Sequence, residues 1–182
     1  MKKSSALAYV GHNERGDREK DDFYPTPKAA TQSLLDRQKF KGDIWECACG
    51  NGAMSKVIEE SGYEVYSSDL INRGYGETGV NFLESTKQVD NIVTNPPFNL
   101  STEFTYRALS LAKKKVCMLN KLSYLEGLER RKIIFNQNKL EKVLVFSRRL
   151  GFKKGDAKGG LMAFAWFIYD VNYNGKPTID WI

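Results

Sequence analysis

Residues 43–69 read DIWECACGNGAMSKVIEESGYEVYSSD, and their order decides the fold. DIWECA is a short apolar run of strand length that leads into a turn holding Gly50 and Gly52. Met54 to Ser61 spaces its apolar residues as an amphipathic helix, and Gly62 stops it. YEVYSSD, residues 63–69, is a second strand. Strand, glycine turn, helix and strand make a parallel crossover unit. The alternation persists outward from there. Upstream, Lys28 to Gln38 carries Ala29, Ala30, Leu34 and Leu35 at helical spacing, with Thr26 as its expected cap and Pro27 at its first position. Downstream, Asn72 to Gly79 is a glycine-rich turn region, and DNIVTN (90–95) is a third strand closed by Pro96 and Pro97. A helix follows over Ser101 to Lys113, capped by Ser101, with Lys113 to Lys115 read as its solvated end. KKVCMLN (114–120) is a strand, Leu125 to Asn136 a helix, and KVLVFS (142–147) and LMAFAWFIYD (161–170) are two strands with no helix between them. The prediction is an α/β fold: a Rossmann-like, mostly parallel sheet with helices on both faces and a C-terminal antiparallel hairpin. The aromatic run AFAWFIYD is core.

Composition bounds the function. The chain has 182 residues, 41% of them hydrophobic and 12% aromatic, so it has the means to pack a core. That length fits one domain of ordinary size over residues 23–182 behind a loose polar arm over 1–22. No window approaches the roughly 20 apolar residues of a membrane span, and the charges after the first apolar patch argue against a secretory leader. Cys47, Cys49 and Cys117 sit in apolar settings and read as reduced thiols in a cytoplasm-like compartment. The Cys47/Cys49 pair has no second pair, and the single histidine, His12, lies in the arm, so no metal is expected. The net charge of +6 is compatible with a nucleic-acid partner without establishing one. Oligomeric state is open between a monomer and a weak dimer.

In doubly wound sheets ligands sit outside the carboxyl ends of the strands, and three unusual segments fall at such ends. The first is Glu46 to Gly52, where glycines let a ligand press on bare backbone at a helix N-terminus. A GK[ST] ending is absent, which disfavours a phosphate loop. The second is Asp69, about twenty residues beyond the glycines, where an acid accepts hydrogen bonds from a ribose diol. The third is Asn95-Pro96-Pro97-Phe98. Two prolines freeze the backbone, so the Asn95 side-chain oxygen and the Pro96 carbonyl become fixed acceptors, with Phe98 as a flat plate beside them. Two acceptors and an aromatic face suit a planar substrate bearing an NH2 group. Between the last two strands, Arg148, Arg149, Lys153, Lys154 and Lys158 face Asp156 alone, and read as a clamp on phosphates.

These residues resemble a family. FYPTP (23–27), ECACGNG (46–52), Asp69 and NPPF (95–98) are similar to the motifs of S-adenosylmethionine-dependent DNA adenine-N6 methyltransferases of the small phage or prophage type, and SRRLGF through AFAWFIYD is similar to the end of such enzymes. The resemblance spans about residues 21–170. It implies a class I methyltransferase with a seven-stranded sheet, S-adenosylmethionine as cofactor and DNA as partner. It implies that Tyr24, Pro25 and Thr26 close over the methionine end, that the turn from Glu46 through Ala48, Gly50 and Gly52 carries the amino-acid part, that Asp69 holds the ribose, and that Leu70 and Phe82 enclose the adenine. Asn81 stands where the family often has an acid, and still offers the adenine a hydrogen bond. Asn95, Pro96, Pro97 and Phe98 would be catalytic, acting on a flipped-out adenine by direct in-line transfer without a covalent intermediate. NPPF also occurs in enzymes that methylate RNA guanine N2 or protein glutamine, so RNA bases (adenine N6 or guanine N2) or a protein amide form the second reading. An inactive DNA-binding scaffold is the third. A role in restriction-modification, as self-protection of phage DNA, is implied by the resemblance alone.

Overall fold

A computed structural model describes residues 23–152 and 160–182. The arm over 1–22 and the clamp residues Lys153, Lys154 and Lys158 lie outside the described residues. The chain runs through α1 (Lys28–Arg37), β1 (Ile44–Glu46), α2 (Ala53–Glu60), β2 (Val65–Asp69), β3 (Glu77–Thr78), β4 (Val89–Thr94), α3 (Ser101–Leu111), β5 (Ala112–Lys121), α4 (Leu128–Ile133), β6 (Leu140–Val145), β7 (Phe164–Asp170) and β8 (Thr178–Trp181).

The strands form one sheet in the order β3-β2-β1-β4-β5-β7-β6-β8. Only β7 runs against its neighbours, pairing antiparallel with β5 and β6, while β8 lies parallel to β6. The chain winds outward from β1 through β2 to β3, then returns to β4 on the other side of β1. That reversal opens a crevice at the carboxyl ends of β1 and β4, the usual ligand position of such sheets.

The sheet separates two cores. Along β5, Val116 and Met118 join Trp45, Phe104 and Phe167 under α3, whereas Cys117 and Leu119 join Leu34, Met54, Ile58 and Trp166 under α1 and α2. This period-two alternation is what a strand covered on both faces requires. Trp166 is fully buried, and its indole N–H donates to the Ala30 carbonyl of α1 at 2.9 Å. The buried indoles of Trp45 and Trp166 and the aromatic run of β7 add large apolar surfaces to both cores.

The structure departs from the sequence reading in several places. The sheet has eight strands rather than seven, because the tail over Thr178–Trp181 adds a parallel edge to β6 and Glu77–Thr78 pairs with β2. The expected helix over 125–136 contracts to α4, flanked by single 3-10 turns, since Gly127 at φ 126 and Asn138 at φ 57 break it on both sides. Lys113–Lys115 opens β5 instead of ending α3. Lys115 is drawn into a pair of ion contacts, with Glu141 and with Asp170 at 2.9 Å. Neither expected hydroxyl caps its helix: the N-caps are Pro27 for α1 and Leu100 for α3.

Candidate active site

The turn after β1 is built on two left-handed glycines. Gly50 has φ 55 and Gly52 φ 77, and a Cβ at either would meet the Phe23 ring at 2.3 Å or the Tyr75 ring at 2.5 Å. Only glycine fits both the backbone angle and the space. The turn is pinned by Cys49 N–H to the Ser68 carbonyl at 3.0 Å and by Gly52 N–H to the Cys49 carbonyl at 2.8 Å. Gly50 N–H donates to Asp69 Oδ2 at 2.8 Å, and Ile71 N–H donates to Asp69 Oδ1 at 2.9 Å. Each carboxylate oxygen keeps a further lone pair for a ligand hydroxyl.

Glu46 closes β1 and is 2% exposed. Ser55 of α2 donates a hydrogen bond to it, and Ser67 Oγ donates to Ser55 Oγ at 2.7 Å. Burial pushes the Glu46 carboxyl up to about 8, against the pull of the Ser55 bonds and with smaller help from the charges of Asp69 and Glu59. Burial also pushes the Cys49 thiol up to about 12 and holds the Cys47 thiol well above its ordinary range, so both stay neutral and unreactive. Near neutral pH Glu46 is therefore mostly protonated, and Asp69 carries the negative charge of this corner; that charge repels phosphate, and a cationic group brought against Glu46 would favour its ionised form.

Across the crevice, β4 delivers Asn95 into a defined setting. Its Nδ2 donates to Thr26 Oγ1 at 3.1 Å and to the Tyr24 carbonyl at 3.4 Å. The Thr26 hydroxyl therefore orients this amide instead of capping α1. The other end of the amide, Oδ1, is buried and has no partner. An unpaired buried acceptor costs about 1–3 kcal/mol, and among the buried side-chain atoms left without a partner Asn95 Oδ1 belongs to a residue that lines the crevice. Pro96 is buried behind it, and the Pro97 carbonyl accepts from Leu100 N–H at 2.9 Å, which locks the corner onto a 3-10 turn.

Tyr24, Pro25, Thr26, Glu46, Ala48, Asp69, Leu70, Asn81, Phe82, Asn95 and Pro97 all line one cleft between these two corners. Gly50 and Gly52 are buried in the turn and shape its floor without lining it; Asn51 and Ala53 line it in their stead. Asn81 is engaged locally, its Oδ1 accepting from Leu83 N–H at 3.2 Å. Phe82 is 2% exposed and wedged against Trp45 and Phe104, whereas Leu70 stands 60% exposed at the lip. Phe98 is outside this cleft. It stacks on Tyr24 at 5.9 Å and leans on Phe164 at 5.5 Å, forming an aromatic patch beside the Asn95 corner. Arg148 and Arg149 are exposed just beyond β6, at the same end of the sheet. Sequence reasoning missed Phe23, Ile71 and Arg73, which also line the cleft. Phe23 opens FYPTP and Ile71 lies two residues past Asp69, so both had neighbours that pointed to them. Arg73, whose guanidinium lies 4.2 Å over the Phe23 ring, sits in a stretch that reads only as a turn.

Among the described residues no group of His, Cys, Asp or Glu is arranged to hold a metal ion, and no helix is long and apolar enough to cross a membrane. At the level of sequence, no protein-family profile and no curated protein matches the chain. Solved structures do. A protein assigned as an RNA methyltransferase from Pyrococcus horikoshii superposes with TM-score 0.65 at 17% identity, over 93% of this chain and 98% of that one. A modification subunit assigned to a type I restriction enzyme from Vibrio vulnificus gives 0.60 at 14%, over 88% of this chain but only 47% of its own length, so this chain spans about half of that subunit. Magnesium protoporphyrin IX methyltransferase from Synechocystis, solved with S-adenosylmethionine bound, gives 0.54 at 13%, over 79% and 78% of the two chains. The sheet order, the crevice at its reversal and these likenesses together give this chain the fold of the class I S-adenosylmethionine-dependent methyltransferases.

Proposed function

We propose that the chain is an S-adenosylmethionine-dependent methyltransferase that modifies the exocyclic N6 amine of adenine in DNA. The observation that carries this reading is the Asn95 side chain: its N–H end is held by Thr26 and Tyr24, and its oxygen is left buried and unpaired in a residue that lines the cleft. Orientation by the N–H end means that the oxygen, not the nitrogen, faces the incoming group. Such an acceptor selects a substrate that donates, as an NH2 does.

The cleft residues fit the cofactor by their chemistry. Glu46 would hold its amino-acid part, Asp69 the ribose diol, and Leu70 and Phe82 the adenine with Asn81 beside them, all of them residues that line the cleft. When bound, S-adenosylmethionine supplies an electrophilic methyl group on a sulfonium. The protein's part is alignment. Asn95 Oδ1 and the Pro96 carbonyl accept the two amine hydrogens of the target base, draw the nitrogen toward tetrahedral geometry and turn its lone pair toward the methyl. Fixed dipoles and near-attack placement supply the acceleration, and no titrating side chain is needed. The amine nitrogen would form its new bond to the methyl carbon as the carbon–sulfur bond breaks and sulfur keeps that electron pair as a neutral thioether, and the nitrogen, then positively charged, would release one proton to solvent. An adenine in a duplex must first leave the stack, at a cost of a few kcal/mol. Phe98 and Tyr24 offer aromatic surface on which it can settle, worth roughly 1–3 kcal/mol per stacked base.

The test is incubation of the purified protein with methyl-labelled cofactor and, separately, adenine-containing DNA, RNA of the same sequence and a protein extract. Label recovered as N6-methyladenine from DNA is the expected result. Label confined to RNA or protein overturns the substrate assignment, and no label in any arm, with cofactor binding intact, favours a non-catalytic scaffold.

A further inference from the structure

Several cations of this fold are tied to acids: Lys28 to Glu60, Arg37 to Asp180, Lys114 to Asp90, and Lys115 to Glu141 and Asp170. Lys121 is not. It ends β5, it is half-buried, and no carboxylate among the described residues pairs with it. β5 lies next to β4, with Thr94 in register with Met118, so three residues further along Lys121 stands level with the diproline corner. Strand alternation sends its side chain to the same face as Cys117 and Leu119, the α1 side, where the Asn95 amide meets Thr26 and Tyr24. Its ammonium sits 5.1 Å from the centroid of the Phe98 ring.

A ring face satisfies an ammonium only in part, and its N–H donors remain available to a stronger acceptor. A partly desolvated cation held at a fixed place is suited to a singly charged oxyanion. Charge divides the site accordingly. Asp69 gives the turn side its negative charge, whereas the Asn95 side carries Lys121 and, two strands away at the same end, Arg148 and Arg149. Two strand spacings are about 10 Å, a distance spanned by a run of successive phosphates along one nucleic-acid strand.

We propose that Lys121 binds a backbone phosphate next to the extruded nucleotide and so sets the base against Asn95, with Arg148 and Arg149 continuing the phosphate track. This rests on the nucleic-acid reading above, and the experiment separates the two. Binding of fluorescein-labelled adenine-containing oligonucleotides, as single-stranded DNA, duplex DNA and RNA, is measured against salt for the wild type, Lys121→Gln, Lys121→Arg and the Arg148→Gln/Arg149→Gln double variant. Lys121→Gln should lower the slope of log affinity on log salt by roughly 0.9 on duplex or 0.7 on single strands. Lys121→Arg should restore the slope, and thermal unfolding and cofactor affinity should stay at wild-type values. A merely structural contact with Phe98 would leave the slope untouched. Wild-type binding with an unchanged slope in Lys121→Gln overturns the Lys121 assignment alone. Absence of salt-dependent binding by the wild type to every oligonucleotide overturns the nucleic-acid reading, and this assignment with it.

Discussion

Replacing Asn95 by alanine should nearly abolish methyl transfer while leaving the fold about as stable as before. Two effects oppose each other in stability. The substitution removes hydrogen bonds of 3.1 Å to Thr26 and 3.4 Å to the Tyr24 carbonyl, which at about 1 kcal/mol for the shorter and less for the longer is a modest loss. It also removes a buried oxygen that has no partner, a relief of about 1–3 kcal/mol. The net lies within about 1 kcal/mol of zero, or roughly 2–4 °C in melting temperature for a chain of this size. Activity has no such offset. Losing one aligned dipole at a reacting centre costs about 10²–10³ in rate, some 2.7–4 kcal/mol. The assay pairs a thermal melt and calorimetric cofactor binding with kcat/KM from labelled methyl transfer. A fall of more than about 10 °C with transfer per folded molecule preserved would show that Asn95 is a structural strut, and the reasoning would fail.

Three further outcomes can be measured. Glu46 has its folded pKa raised from 4.5 to about 8, so the stability it contributes is complete below about 4.5 and is lost as pH climbs to 8. The unliganded wild type should lose melting temperature across that window more steeply than Glu46→Gln, and parallel pH curves would refute the buried-proton account. Asp69→Ala should weaken cofactor binding before it affects anything else, because its carboxylate, held by Gly50 N–H and Ile71 N–H, lines the cleft while the Cys49–Ser68 backbone bond still ties the glycine turn to β2; calorimetry showing unchanged cofactor affinity would count against its assigned role. Gly52→Ala should destabilise by roughly 1–2 kcal/mol, from a left-handed φ of 77 and a Cβ placed 2.5 Å from the Tyr75 ring, and should also loosen the cofactor. A melt within one degree of wild type would show that Tyr75 swings aside freely.

How far the site was legible in advance follows from which residues act locally. Gly50, Gly52, Asp69 and the Asn95–Phe98 corner declare themselves in the sequence, because glycines at a strand end and a diproline after an apolar strand are local demands on the backbone. So is the order of strands and helices from β1 to β4, whose periodicities are short-range and only slightly displaced in the structure. The fate of Thr26 was not legible: whether its hydroxyl caps its own helix or grips an amide 69 residues away depends on how β4 docks beside α1. The same holds for Lys113–Lys115, which reads as the tail of a helix and becomes a strand because its partners, Asp170 and Glu141, arrive from β7 and β6. The tail over Thr178–Trp181 carries no strand signal of its own strength and is a strand only because β6 presents a free edge to it.

By itself, then, the sequence determined the α/β layering, the glycine turn, the acid that follows it and the rigid polar corner, since each is specified by neighbours a few residues away. Only the tertiary structure decided that the Asn95 amide presents its oxygen, that Phe98 packs against Tyr24 and Phe164 rather than lining the cleft, and that Lys121 stands beside it. Those outcomes depend on side chains brought together from α1, β4, β5 and β7, whose meeting is a property of the packed sheet and of no single stretch of chain.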